Sequence, residues 1–325
     1  MTSIIKLKIA DIIIRLDSNF TREPLYKKMM DWRFKSFLYT GNTKPHIMIK
    51  VNIANKLPEV KNAETIFVTK HFYDDSENWR LMRKGKNFIY DSPLPAKQQI
   101  GFINNDFSRA TVHLLPKKPM EEDNDGPYAR LRRRQSRFIR VRNGYVWNIS
   151  DIIYDFLQVL LINYFALRKQ GIFIHAVGIK DKLNQGLLFT GKSGAGKSTT
   201  ARLWYKHTKA LILNDDRIIL RKIKGRFFIY GCPWHGDFSD YLVSRIESAP
   251  IAKIFFIHHA PGNTVRKISS KEAFSLLYPN LFPTFWNEKC LTSILSYCED
   301  FVRSVPCFSL GFKNNKKVIN FVRKI

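Results

Sequence analysis

The chain is short of acid. Its 27 Asp and Glu stand against 54 Lys and Arg over 325 residues, a formal net charge of +27. A composition heavy in Lys, Ile, Asn and Phe is what an AT-rich genome would give. The alternative is an anionic partner: a nucleotide, an acidic peptide, a nucleic acid or a membrane surface. No basic helix with base-reading residues or stacking aromatics stands out, which argues against nucleic acid. Long apolar runs are also missing. The best candidate, 151–167, is interrupted by Asp155, Gln158 and Asn163, so no membrane-spanning helix is expected. Lys6, Lys8 and Asp11 break up the N-terminal stretch, which lacks an apolar signal core, so the expected compartment is the cytoplasm. Cysteine is scarce. Cys232, Cys290, Cys298 and Cys307 contain no C-x-x-C pair, which excludes the usual zinc and dithiol motifs and predicts reduced, buried thiols. There is no internal repeat and no extended low-complexity tract.

The length predicts two domains, with a boundary near residue 145. Residues 1–145 read as an N-terminal α+β domain made mainly of antiparallel strands. Ile4 to Leu16 reads as one strand, and Thr21-Arg22-Glu23-Pro24 as the start of a short helix reaching Phe37. His46 to Ile53, Thr65 to Thr69 and Asn87 to Tyr90 read as strands. Ile100 to Asn104 and Ala110 to Leu115 form a hairpin turning at Asn105-Asp106. Pro116 to Gly126 is a polar loop, and Phe138 to Val146 reads as one more strand. Opposite charges adjoin here: Glu121 to Asp125 is acidic, and Arg130 to Arg142 holds the densest basic run.

Residues 146–325 alternate helix and strand, which predicts an α/β domain with a mixed sheet. Ser150-Asp151 caps a predicted helix over Ile152 to Lys169, stopped at Gly171. Strands are predicted over Ile172 to Ile179, Leu187 to Thr190, Ala210 to Leu213 and Ile251 to His258. A hairpin joins Ile218 to Ile223 and Arg226 to Tyr230 around Lys224-Gly225. Helices over Ser270 to Leu277 and Lys289 to Val302 precede a strand at Cys307 to Phe312 and a final basic helix.

The chain is organised around Gly191-Lys192-Ser193-Gly194-Ala195-Gly196-Lys197-Ser198-Thr199. This stretch matches G-x-x-x-x-G-K-[ST], the P-loop or Walker A motif, between a predicted strand and a predicted helix. The glycines let backbone N–H groups turn toward a phosphate, and the helix N-terminus adds positive potential. Lys197 is expected at the β- and γ-phosphates of a nucleotide and the Ser198 hydroxyl on Mg²⁺. Three further features join it. Leu211-Ile212-Leu213-Asn214-Asp215-Asp216 is an apolar strand ending in carboxylates, as a Walker B element does. One carboxylate, Asp215, would hold the metal, and Asp216 would accept a proton from an attacking hydroxyl. His175 lies on the strand preceding the loop strand. Gly231-Cys232-Pro233-Trp234-His235-Gly236-Asp237 follows a strand and suits a site wall.

Residues Gly171 to Asp237 resemble the HPr kinase/phosphorylase family and its related kinases, which share the phosphoenolpyruvate carboxykinase-type P-loop fold. The carriers are a strand with a histidine, the Gly-Lys-Ser-Gly-Ala-Gly-Lys-Ser-Thr loop and the Asp-Asp pair. Only eighteen positions separate Lys197 from Asp215. The resemblance implies an ATP- and Mg²⁺-dependent serine kinase, with Lys197 and Ser198 on the nucleotide, Asp215 and Asp216 as metal ligand and base, and His175 assisting. The chain departs from the family in lacking its Glu-Ile-Arg-Gly segment, tied to phosphorolysis. The expected acceptor is therefore a serine hydroxyl of a protein, an acidic or flexible peptide or a small molecule, rather than HPr in a reversible cycle. Two other readings are a carboxykinase-like enzyme acting on a small acid and a non-catalytic, nucleotide-gated or nucleic-acid-binding module. A homo-oligomer is compatible with all three.

Overall fold

In the computed structural model of the chain the described residues are 3–19, 32–70, 77–93, 98–115, 152–236, 246–282 and 284–325. The acidic and basic runs over 121–142, the strand expected over Phe138 to Val146, the Ser150-Asp151 cap, the start of the first helix, Asp237 and the expected boundary near 145 lie outside them. The chain divides into two compact units, Met1–Leu7 with Ile12–Leu161 and Lys8–Asp11 with Ile162–Ile325. Among the described residues no helix is long and apolar enough to cross a membrane.

The first unit is built on an eight-stranded mixed sheet. Its strands are β1 (Ser3–Ile9), β2 (Ile12–Ser18), β3 (Ile47–Ile53), β4 (Glu64–Lys70), β5 (Glu77–Lys84), β6 (Asn87–Ser92), β7 (Gln99–Ile103) and β8 (Arg109–Leu114), in spatial order β1-β2-β3-β8-β7-β6-β5-β4. One helical turn, α1 (Trp32–Lys35), lies between β2 and β3. The strands β4 to β8 pair antiparallel, and β2–β3 and β3–β8 are parallel, so the sheet is mixed but mainly antiparallel. Leu81, Tyr90 and Val112 are buried, and Phe156 meets Tyr90 edge-on at 5.4 Å.

The expected single strand from Ile4 to Leu16 is two strands. Ala10 and Asp11 both take left-handed backbone angles, φ 45° and 62°, as a two-residue hairpin turn requires. Nothing local signals the turn, because neither Gly nor Asn is present. Its partners are remote in sequence but within the second unit: Arg221 donates to the Ala10 carbonyl and the Tyr230 hydroxyl to Asp11. Strand β5 was not anticipated either. Its Asn-Trp-Arg-Leu-Met-Arg stretch has no clean alternation, and it forms by pairing on both sides, with β4 and β6.

The chain enters the second unit along a helix that begins as a π-turn, Ile152–Phe156, and continues as α2 (Leu157–Leu167). The helix end is closed by Lys169, which takes φ 51°, and not by Gly171. Gly171 is needed for a different reason: a Cβ there would lie 2.7 Å from the Leu220 carbonyl.

The second sheet is also eight-stranded and mixed. It comprises β9 (Ile172–Lys180), β10 (Gly186–Thr190), β11 (Leu211–Asn214), β12 (Arg217–Ile223), β13 (Arg226–Tyr230), β14 (Ser248–His259), β15 (Thr264–Lys267) and β16 (Cys307–Phe312). Helix α3 (Lys197–His207) follows β10, α4 (Ser270–Leu277) and α5 (Glu288–Ser304) follow β15, and α6 (Lys317–Arg323) ends the chain. The long strands β9 and β14 each serve three neighbours at different points along their length: β10, β11 and β12 for β9, and β10, β13 and β16 for β14. As a result β10 pairs antiparallel with β9 and parallel with β14, and β9, β12, β13, β14 and β10 form a closed circuit. Lys224 and Gly225 turn the β12–β13 hairpin with φ 47° and 80°.

Two apolar layers flank this sheet. Leu188, Ile174 and Ile254 point to one, shared with Leu277, Ile294 and Phe301 of α4 and α5. Leu187, Phe189 and Val177 point to the other, shared with Ala201 and Trp204 of α3 and Val318 and Val322 of α6. Alternation along β10 thus feeds both layers, and all five of its residues are buried. Phe255 is fully buried between Phe189 and Phe308, with ring centroids 5.1 and 5.5 Å away. Phe255→Ala should cost about 3–5 kcal/mol, the usual range for emptying such a site. Urea denaturation of the two proteins checks it, and a difference under about 1 kcal/mol would show that the layer repacks freely.

Candidate functional site

The glycine-rich segment leaves the buried end of β10, turns over residues 191–196 and enters α3 at Lys197. Gly194 and Gly196 take φ 78° and 100°. Any side chain on Gly196 would also strike Phe312, since a Cβ there would lie 2.7 Å from that ring. The Ala195 N–H donates to the Lys192 carbonyl at 3.1 Å, and the Thr200 hydroxyl to the Gly196 carbonyl at 3.0 Å. The Lys197 ammonium folds back over the loop, donating to the carbonyls of Gly191 at 2.7 Å and Lys192 at 3.1 Å. Burial lowers its pKa, and the charge of Asp216 opposes that shift. Lys192, Ser193 and Gly194 are exposed, while Ser198 and Thr199 in the first turn of α3 are half-buried.

The Asp pair is set by Asn214, a residue that the sequence reading passed over. Its side-chain oxygen accepts the N–H groups of Asp216 and Arg217, both at 2.9 Å. Its amide donates to the carbonyls of Cys232 and Trp234, also at 2.9 Å. One buried amide therefore clamps the Asp-Asp turn to the 231–236 segment. An Asn before two Asp at a strand end is a turn-forming pattern, and that was the available signal. The clamp separates the two carboxylates. Asp215 is 2% exposed and accepts the Gly236 N–H at 2.9 Å. A Cβ on Gly236 would lie 3.0 Å from its Oδ2, so the wall segment needs glycine there. Asp216 faces the other way, toward His175 Nε2 at 2.8 Å and Arg217 Nε at 3.2 Å.

His175 and Arg217 are paired residues on β9 and β12. The Thr190 hydroxyl donates to the His175 carbonyl at 2.9 Å, tying the end of β10 to β9 just before the glycine loop. His175, Lys197 and Asp216 thus come together, with Asp215 behind Asp216. Burial pushes the Asp216 carboxyl up. The hydrogen bond from His175 and the charges of Arg217, His175 and Lys197 outweigh that and hold it below the usual carboxylate range. Cys232 is fully buried with its thiol pushed up to about 12, so it is inert at neutral pH. All four cysteines are free and buried.

Among the described residues no group of three or more His, Cys, Asp or Glu could hold a metal. The oxygens of Ser198, Asp215 and Asp216 are hard donors of the kind Mg²⁺ accepts alongside phosphate and water.

No protein-family model matches the chain, and no curated protein does. Among solved structures, the HPr(Ser) kinase/phosphatase from Coxiella burnetii aligns at 14% identity over 47% of this chain and 94% of that one, with a TM-score of 0.28. An overlap that loose carries no argument about chemistry, so the local geometry must.

A carboxyl whose folded pKa is depressed contributes stability above its unfolded value, and loses it as pH falls through the folded value. The stability gap between the parent and Asp216→Asn should therefore be widest near neutrality and narrow below about pH 3.9. Urea denaturation from pH 7 to pH 3 measures this, and a gap independent of pH would contradict the electrostatic account of Asp216.

Proposed function

We propose that the protein is an ATP-dependent kinase that transfers the γ-phosphate to a serine hydroxyl of a protein, peptide or small molecule. One observation carries the reading. A glycine loop of P-loop pattern with an in-folded lysine lies beside an ionised carboxylate that a histidine orients. The loop N–H groups and Lys197 would bind the β- and γ-phosphates, with residues Gly191 to Thr199 forming the cradle. Packing holds the loop in this shape, because side chains on Gly191 and Gly196 would collide with the Ile257 carbonyl and with Phe312. Ser198 and Asp215 would hold Mg²⁺, Asp215 by giving up its Gly236 N–H to face the metal, and the bound ion would neutralise charge on the phosphates.

Asp216 is the proposed base. It is ionised at neutral pH and half-exposed, while Asp215 is turned into the protein toward Gly236. As the serine oxygen bonds to the γ-phosphorus and the bridging bond to the β-phosphate breaks, the hydroxyl proton passes to Asp216. The His175 N–H fixes the carboxylate's orientation, and Arg217 supports its other oxygen. The four reduced thiols suit the cytoplasm. The excess positive charge suits an acidic acceptor.

Incubation with γ-labelled ATP and a cell extract should yield labelled phosphoserine. Lys197→Ala should abolish MgATP binding with the fold intact. Asp216→Asn should bind MgATP almost normally and transfer phosphate about 10²–10⁴-fold more slowly. Transfer at the parent rate by Asp216→Asn would remove it as the base, and undiminished MgATP affinity in Lys197→Ala would refute the nucleotide site.

The missing Glu-Ile-Arg-Gly segment separates this reading from a bifunctional HPr enzyme. Phosphoserine-HPr and inorganic phosphate should give no pyrophosphate in the presence of the protein. Rapid pyrophosphate release would restore the reversible activity.

A further inference from the structure

The strands β10, β14 and β16 are neighbours and parallel. Ligands of such sheets sit beyond the carboxyl ends of the strands. Here those ends are Thr190, His259 and Phe312. Thr190 pairs with Phe256, so β14 runs three residues farther, about 10 Å at the usual strand rise, and reaches the level of the glycine loop. There the His259 Nε2–H donates to the Gly194 carbonyl at 2.7 Å. The same ring lies against Phe312, with centroids 6.3 Å apart and planes 28° from parallel. Phe312 is itself buried against Gly196. His259 is therefore pinned at two points to the structure that shapes the loop, and it is still exposed to solvent.

An exposed aromatic ring that is already ordered suits stacking on a flat ligand, since little rotamer freedom remains to be lost. The adjoining rim fits a neutral, planar group tethered to an anion. The segments 260–263 and 313–317 contain amides and lysines but no carboxylate. Lys313 and Asn314 are exposed, and Asn263 fixes the rim by accepting the Lys313 N–H at 3.2 Å.

We propose that His259 is the stacking platform for the base of the nucleotide whose phosphates the glycine loop holds. The inference rests on the nucleotide reading of that loop, and tripolyphosphate separates the two. Calorimetry would measure MgATP and magnesium tripolyphosphate binding to the parent, His259→Gln and His259→Phe. Gln keeps a donor for the Gly194 carbonyl and loses the ring, whereas Phe keeps a ring and loses the donor. His259→Gln should weaken MgATP about ten-fold, the scale of one base–aromatic stack, and leave tripolyphosphate within about two-fold. His259→Phe should hold MgATP more tightly than His259→Gln. Equal weakening of both ligands in His259→Gln would make His259 only a strut for the loop and overturn the proposal, as would unchanged MgATP binding. A parent that binds neither ligand would instead sink the nucleotide reading, and this inference with it.

Discussion

Strand β10 is buried on both faces and paired on both edges, and the geometry around the glycine loop depends on that burial. Leu188 feeds one apolar layer, and Leu187 and Phe189 feed the other. The strand cannot slip by one residue without exchanging those faces, because side chains alternate across a sheet. Its last residue, Thr190, is bonded to the strand that carries His175. The loop therefore starts from a fixed point, and the histidine and lysine that flank it are placed by the same pairing.

The site also has to hold two adjacent carboxylates in a poorly hydrated place, which is unfavourable unless each is satisfied. The fold does this by giving them different surroundings. Asn214 spends both ends of its amide on the backbone, and so orients the turn without using either carboxylate. Asp215 receives a backbone N–H, and Asp216 receives His175, Arg217 and the field of Lys197. The asymmetry comes from the neighbouring segments and not from the dipeptide. It allows one carboxylate to stay ionised toward the loop while the other is covered.

The positively charged composition has little expression in this arrangement. Beside Asp216 the cations are committed, Lys197 to loop carbonyls and Arg217 to Asp216, while Lys192 on the loop is exposed. Elsewhere in the second unit Arg323 pairs with Asp181 and Lys222 with Asp300. Most of the unit's other described cations are exposed, where solvent and salt screen their repulsion.

Much of the second unit was legible in the sequence because its signals are local. The glycine pattern demands a tight turn with left-handed angles, the apolar run before it demands burial, and Lys224-Gly225 demands a hairpin. Those constraints act within a few residues, so they survive without tertiary context. What the sequence could not determine is whatever depends on partners far along the chain. The Ala10-Asp11 turn is held by Arg221 and Tyr230, β5 exists by pairing on both sides, and β2–β3–β8 run parallel through connections that no local pattern records. The same holds within the site. Reading along the chain, Asp215 and Asp216 are interchangeable neighbours, and His259 is one of two adjacent histidines at a strand end. Only the tertiary structure brings Gly236 to one carboxylate, His175 to the other and His259 to Gly194, because hydrogen bonds are made by proximity in space, and proximity here spans up to 65 positions of sequence.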